Sequence, residues 1–148
     1  MVVLKDETAS IRSSDDIVRV RRIVREWAVS LGFSLVDQTK VVTAASELAR
    51  NVIDYGGGGD FRIEALNNDA RRGLRLTFSD QGPGIVDLEQ AMKDGFTTGG
   101  GLGLGLGGAK RLVNEFLIDS KPGRGTTVVI VRWKNLGSLF GKGRRLLK

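Results

Sequence analysis

The sequence predicts an α+β fold, a single-domain two-layer α/β sandwich with helices packed on one face of a mixed, mainly antiparallel sheet. Strand-like alternation and helical spacing of apolar residues both occur, but without the regular βαβ order of a parallel sheet. The chain has 148 residues, enough for one domain whose core needs no disulfide. We expect that domain over residues 1–134 and a basic C-terminal tail over 135–148, either disordered or a short amphipathic segment.

The first part of the chain predicts a strand and two helices. Residues 2–12 form the strand. The first helix begins near Ser14, where Asp15 and Asp16 suit the positive end of a helix dipole, and it ends at Gly32. Its apolar stripe consists of Ile17, Val20, Ile23, Val24, Trp27 and Leu31. The second helix spans residues 37–55, with an apolar stripe at Val41, Ala45, Leu48, Val52 and Tyr55.

The second part predicts a hairpin, a short helix, a loop, another helix and two final strands. Alternating apolar residues indicate the strands, and glycine-rich segments separate the other elements. The predicted elements are strands 61–66 and 74–78, a helix 87–94, a mobile glycine loop 97–105, a helix 106–116, and strands 117–120 and 126–133.

The composition excludes several kinds of chemistry. The chain has no cysteine, so it has neither disulfides nor thiolate metal sites. It has no histidine either, which removes Ser-His-Asp and Cys-His systems, imidazole zinc sites and a phosphorylated histidine of its own. Any proton transfer must therefore use a carboxylate, a lysine or water.

The charge distribution argues against nucleic acid as a partner. The net charge is +6, but four of these charges are Lys142, Arg144, Arg145 and Lys148 of the tail, and the remainder of the chain is nearly balanced. No apolar run is long enough to span a membrane, and the N-terminus lacks a signal-peptide pattern. We expect a cytoplasmic protein with no membrane association.

A row of arginines lies away from the apolar stripe of the first helix. It consists of Arg19, Arg22 and Arg25. Such a row is typical of a solvated helix face, and it would also suit docking of an acidic partner. The sequence leaves both interpretations open.

The first candidate site is Ser46-Glu-Leu-Ala-Arg-Asn51 in the second helix. Glu47 and Asn51 are four residues apart, so their side chains leave one side of the helix about a turn apart. A carboxylate and an amide oxygen there suit Mg²⁺ and a proton acceptor beside it. A solvated polar helix face is the alternative interpretation.

The second and third candidate sites are rich in glycine. Asp80-Gln-Gly-Pro-Gly84 ends a strand in a sharp turn, where a partly buried carboxylate needs a donor such as an exocyclic amine of adenine. A simple Asx-type turn would show the same residues. Gly99–Gly108 leads into a helix, and its consecutive amides suit phosphate groups. A flexible linker is the alternative there.

Taken in order, these segments resemble the N, G1 and G2 boxes of the GHKL superfamily, which includes gyrase, Hsp90, MutL and histidine kinases. Gly125-Thr126 before the last strand resembles the fourth element, and the likeness covers residues 10–134. Ser-Glu-Leu-Ala-Arg-Asn, Asp-Gln-Gly-Pro-Gly-Ile and Asp94-Gly-Phe-Thr-Thr-Gly-Gly are most similar to the RsbT-like serine/threonine switch kinases. The related anti-sigma factors RsbW and SpoIIAB more often have Ser-Glu-Ala-x-x-Asn-Ala.

The resemblance implies a role for each motif residue, with ATP and Mg²⁺ as cofactors. Glu47 would be the general base, Arg50 would pair with Glu47 or a phosphate, and Asn51 would ligate Mg²⁺. Asp80 would bind the adenine amine, Thr126 would reach adenine through water, and Gly82 and Gly84 would let the base approach closely. The phosphates would be covered by the segment Gly101, Leu102, Gly103, Leu104, Gly105 and Leu106.

The resemblance also implies a function. The expected activity is phosphorylation of Ser or Thr on a STAS-domain partner, an anti-sigma-factor antagonist or a stressosome scaffold. The alternative is a binding module gated by nucleotide, with a PP2C-type phosphatase or a sigma factor as partner and little or no turnover. A free ATPase or a histidine-kinase fragment is disfavoured, because the chain lacks histidine, long dimerisation helices and a transducer domain.

Overall fold

The computed structural model describes residues 1–93 and 105–134. The strands are β1 (Val2–Ile11), β2 (Gly59–Asn68), β3 (Arg71–Asp80), β4 (Glu115–Ser120) and β5 (Thr126–Trp133). The helices are α1 (Ser14–Ser30), α2 (Leu35–Asp54), α3 (Leu88–Ala91) and α4 (Leu106–Arg111). The strands form one sheet in the order β1-β2-β3-β5-β4, and every pairing among them is antiparallel. The predicted α+β class is confirmed, with a sheet that is antiparallel throughout its described strands.

Both long helices begin at residues that satisfy free backbone amides. The Asp16 carboxylate accepts the N–H groups of Arg12 (2.7 Å) and Ser13 (3.2 Å), and the Arg12 N–H lowers the pKa of Asp16. The Ser34 hydroxyl accepts the Asp37 N–H at 3.1 Å, so α2 begins two residues earlier than predicted. These caps fix the start of each helix above the sheet.

The core lies between α1, α2 and one face of the sheet. Side chains at alternate positions of the central strands point toward the helices and are buried. The largest of these are Phe61, Ile63, Leu74, Leu76, Phe78 and Ile130. Leu48 of α2 is packed against this layer. The polar side of the same helix turn therefore lies beside the end of β3 and the start of β5.

A buried ion pair joins the start of α2 to the end of β5. The Arg132 Nη2 donates to Asp37 Oδ1 at 2.6 Å, and both side chains are largely buried. Arg132 also donates to the Leu112 carbonyl, at 3.2 Å. The pair fixes the position of α2 relative to β5 and to the residue that follows α4.

Two helix predictions are wrong in extent. The helix predicted to reach Phe116 ends at Arg111, because Asn114 N–H already donates to Val131 O at 2.9 Å and Phe116 pairs with Ile130 in the sheet. The helix predicted over 87–94 is the single turn α3. Residues 97–104 of the predicted glycine loop and the tail 135–148 lie outside the described residues. In the described part of the chain, no helix is long and apolar enough to cross a membrane.

Candidate functional site

A cavity of about 300 Å³ opens between α2, the end of β3, the start of β5 and the segment after β3. Most of its wall is apolar, and few polar side chains face it. The apolar lining consists of Leu48, Val52, Phe78, Pro83, Ile85, Val86, Leu106 and Val128. The polar lining consists of Asn51, Tyr55, Asp80, Asp87 and Thr126, with Gly84 completing the wall. Three residues predicted from separate motifs, Asn51, Asp80 and Thr126, therefore share one cavity.

The α2 side of the cavity follows from helical spacing. One face of α2 supplies four lining residues at positions i, i+3, i+4 and i+7, namely Leu48, Asn51, Val52 and Tyr55. Asn51 is half-buried there. The last turn of α2 closes on its backbone, since the amides of Tyr55 and Gly56 both donate to the Asn51 carbonyl.

Asp80 stands at the end of β3, on the face of the sheet that the helices cover. It pairs with Gly59 of β2 and Thr126 of β5, and its Oδ1 accepts the Gly82 N–H at 2.9 Å. Burial raises the pKa of Asp80, and the backbone N–H groups of Gly82 and Thr126 oppose that shift. The carboxylate is thus partly desolvated and held in place at the cavity wall.

Gly56, which follows α2, is a site residue that the sequence did not reveal. A Cβ at this position would lie 2.7 Å from Asp80 Oδ2, well inside contact distance. In the sequence, the glycine run at residues 56–59 indicates only the end of the second helix. Its first member instead leaves the space in which the Asp80 side chain lies.

Gly82 and Gly84 have close backbone neighbours. A Cβ at Gly82 would lie 2.7 Å from the Cα of Gly56. Gly84 has a φ of +76°, and a Cβ there would lie 2.7 Å from the carbonyl carbon of Lys121. Both glycines let protein segments meet around Asp80, and their predicted role in the approach of a base stays a prediction.

Ser120 and Thr126 form a hydrogen-bonded pair beside the cavity. Ser120 ends β4, Thr126 begins β5, and their hydroxyl oxygens lie 2.7 Å apart. Ser120 Oγ also accepts the Ile85 N–H at 2.8 Å and donates to the Gly125 carbonyl at 3.2 Å. Sequence reasoning found Thr126 but missed Ser120, because nothing in its local sequence marks it.

Of the remaining predicted residues, Leu106 lines the cavity, Glu47 and Gly105 lie beside Leu106, and Arg50 lies apart. Half-buried Glu47 contacts Gly105, where a Cβ would lie 3.3 Å from its carboxyl carbon, and Leu106 is buried in the cavity wall. Arg50 is exposed and does not line the cavity. The residues Gly101, Leu102, Gly103 and Leu104 lie outside the described part, so their phosphate-binding role stays a prediction.

The donor set fits Mg²⁺ bound together with phosphate groups. Asn51 places an amide on the cavity wall, and Glu47 lies one turn earlier on the same helix. Amide and carboxylate oxygens are ligands that Mg²⁺ takes, usually alongside water and phosphate. Among the described residues, no group of three or more His, Cys, Asp or Glu side chains could hold a metal ion alone.

Comparison with known proteins identifies the family. Residues 36–135 match the profile of the histidine kinase-, DNA gyrase B- and HSP90-like ATPases, and the chain belongs to this family, the GHKL superfamily. The chain is 48% identical over 118 residues to the serine/threonine-protein kinase RsbT of Bacillus subtilis (strain 168), covering 80% of this chain and 89% of the relative. It is 31% identical to an anti-sigma F factor of Bacillus licheniformis, covering 76% of this chain and 80% of that protein.

Solved structures show the same fold. A Mycobacterium tuberculosis protein with RsbU and RsbW domains matches with a TM-score of 0.60 and 22% identity, covering 86% of this chain. This chain spans 31% of that longer protein. The catalytic domain of the histidine kinase ThkA matches with a TM-score of 0.51 and 17% identity, covering 86% of this chain and 96% of that domain. The predicted GHKL family and its fold are therefore confirmed, and the chain is a homologue of a protein serine/threonine kinase.

Proposed function

We propose that this chain is an ATP-dependent protein serine/threonine kinase of a bacterial partner-switching pathway, acting in the cytoplasm on a STAS-domain protein. One observation carries the proposal. Asp80 and Asn51 line a single apolar cavity, and Glu47 lies one helical turn from Asn51 against Gly105. The site thus offers an acid suited to bind a base (Asp80), an amide suited to bind a metal ion (Asn51) and a carboxylate suited to accept a proton (Glu47).

Adenine is the base that this cavity suits. Leu48, Val52 and Phe78 offer apolar surface to its ring, and Asp80 offers a carboxylate acceptor to its exocyclic amine. The partly desolvated Asp80 carboxylate accepts backbone N–H groups of Gly82 and Thr126 but has acceptor positions to spare, so an amine that occupies the cavity gains from pairing with it. A base with a carbonyl oxygen at that position would instead place one acceptor against another, the carboxylate of Asp80.

The phosphates would extend from the base toward Gly105 and the N-terminus of α4. Asn51 would hold Mg²⁺, which when bound neutralises phosphate charge. Arg50, exposed on the next turn after Glu47, would pair with Glu47 or with a phosphate oxygen. The resemblance implies that residues 101–106 cover the phosphates.

Transfer needs a proton acceptor for the hydroxyl of the partner. A new O–P bond forms between the partner's serine or threonine oxygen and the γ-phosphorus, the bond to the ADP oxygen breaks, and the hydroxyl proton goes to Glu47. Glu47 is half-buried beside Gly105, the residue before Leu106 of the cavity wall, and this closeness supports its role as the proton acceptor. Positioning and charge neutralisation supply most of the rate in such transfers.

A second function has a specific observation in its favour. The anti-sigma F factors are relatives across most of the chain, and such a relationship supports a nucleotide-gated binding module with a sigma factor or a PP2C-type phosphatase as partner. The two functions differ in whether phosphate reaches a protein.

The test is phosphotransfer from Mg-ATP labelled at the γ-phosphate to each STAS-domain protein encoded in the same genome. The kinase requires label on one of them with the wild-type chain and none with Glu47→Ala. A matched control is Asp54→Ala, which removes an exposed acid from the same helix outside the cavity lining. Nucleotide-dependent complex formation with no label on any partner would favour the binding module.

A further inference from the structure

The hydroxyl of Ser120 contacts three groups in two segments that meet beside the cavity. It contacts Ile85 N in the segment after β3, the Gly125 carbonyl in the turn before β5, and Thr126 Oγ1 at the start of β5. Ser120 does not line the cavity, whereas Thr126 and Ile85 do. Any effect of Ser120 on a ligand therefore acts through those neighbours.

One arrangement of the two hydroxyl protons satisfies all three of these contacts at once. A serine hydroxyl has one proton and two acceptor positions. The Ile85 N–H takes one acceptor position, and the Gly125 carbonyl can only accept, so Ser120 donates its proton there. The 2.7 Å contact to Thr126 is then satisfied when the Thr126 hydroxyl donates to the remaining acceptor position of Ser120. This arrangement uses every hydrogen-bonding capacity of Ser120.

The direction of that bond decides what Thr126 presents to the cavity. Since the Thr126 proton is directed to Ser120, its oxygen offers only lone pairs on the cavity side. Thr126 is the strand partner of Asp80, whose carboxylate is also an acceptor. Two neighbouring acceptors favour a ligand group with two N–H bonds, such as an exocyclic amine that meets both directly, without the bridging water that the resemblance implies for Thr126.

We propose that Ser120 is a positioning residue that holds the Thr126 hydroxyl as an acceptor and so favours adenine over a base with a carbonyl oxygen at the 6-position. The inference rests on the proposed function, because it concerns the base that fills this cavity. It goes beyond that function in assigning part of the base specificity to a residue outside the cavity.

The test compares binding of ATP and ITP, which differ at the 6-position, by calorimetry on the full chain. Ser120→Ala frees the Thr126 proton to donate into the cavity, so the preference for ATP over ITP should fall roughly three- to tenfold, the range of one hydrogen bond. Ser120→Thr keeps a hydroxyl and should keep the preference. In a Thr126→Val chain, Ser120→Ala should leave the preference unchanged.

Equal weakening of ATP and ITP binding by Ser120→Ala would overturn the proposal, because loosening of the Ile85 segment alone affects both nucleotides alike. A fall in preference of the same size in the Thr126→Val chain would also overturn it. If Ser120→Ala does not fold, Ser120→Cys provides the same comparison with a weaker acceptor. Failure of the wild-type chain to bind either nucleotide would instead overturn the proposed function, and this inference with it.

Discussion

The Cα of Gly56 lies against the carboxyl group of Asp80, and a Cβ at Gly56 would come within 2.7 Å of Asp80 Oδ2. Gly56 follows α2, and Asp80 ends β3. The carboxylate of Asp80, the predicted base-binding acid, therefore occupies space that exists only because residue 56 has no side chain.

Gly56→Ala should displace the Asp80 carboxylate and weaken ATP binding by at least about tenfold, with a loss of about 1–3 kcal/mol in unfolding free energy from overpacking. Calorimetry and urea denaturation measure the two effects. The control for ATP affinity is Gly57→Ala, where a Cβ meets nothing within 4 Å; its φ of +74° adds backbone strain, so only stability should change. Unchanged ATP affinity in Gly56→Ala would show that the contact does not position Asp80.

Asp80→Asn should abolish ATP binding without destabilising the nucleotide-free chain at neutral pH. Burial raises the pKa of Asp80 in the folded chain, so protonated Asp80 favours folding. This stabilisation is fully present below the pKa that Asp80 has in the unfolded chain, and it is lost as the pH rises through its pKa in the folded chain. The wild-type melting temperature should therefore fall relative to that of Asp80→Asn between about pH 4 and about pH 7. Thermal melts at both pH values measure this difference. If the difference in melting temperature between the two chains does not change with pH, Asp80 is not the partly desolvated carboxylate described here.

The buried pair of Asp37 and Arg132 should contribute to stability in a way that depends on both partners. Asp37→Ala leaves the guanidinium buried without this acceptor and should lower the free energy of unfolding by about 3–5 kcal/mol. The double variant Asp37→Leu/Arg132→Met removes both charges and should recover much of that loss. Urea denaturation of Asp37→Leu, Arg132→Met and the double variant tests this recovery, and strictly additive losses would be the contradicting result.

Deletion of residues 135–148 should leave ATP affinity unchanged. Among residues 1–93 and 105–134, the cavity lining runs from Leu48 to Val128 and the last strand ends at Trp133. Calorimetry on the chain ending at Lys134 makes the measurement. A lost nucleotide site in the shortened chain would place the tail within the folded domain.

The sequence predicts a site residue when the neighbouring residues along the chain already indicate its role. Asp80 and Asn51 are recognisable because an acid before a glycine turn and an amide one helical turn after a glutamate are local patterns, and both line the cavity. Ser120 and Gly56 are not recognisable, because their roles arise from contacts with distant segments. The predicted helix extending to Phe116 fails for a similar reason, since pairing with Ile130 overrides local helical spacing.

The most direct test of the account separates nucleotide binding from phosphotransfer at Glu47. Glu47→Gln preserves the size of the side chain but cannot take the hydroxyl proton. We expect Mg-ATP affinity within about threefold of wild type and a single-turnover rate of transfer to the STAS-domain partner lower by about 10²–10⁴-fold. A Glu47→Gln chain that transfers phosphate at the wild-type rate would contradict the assignment of Glu47 as the base, and with it the proposed mechanism.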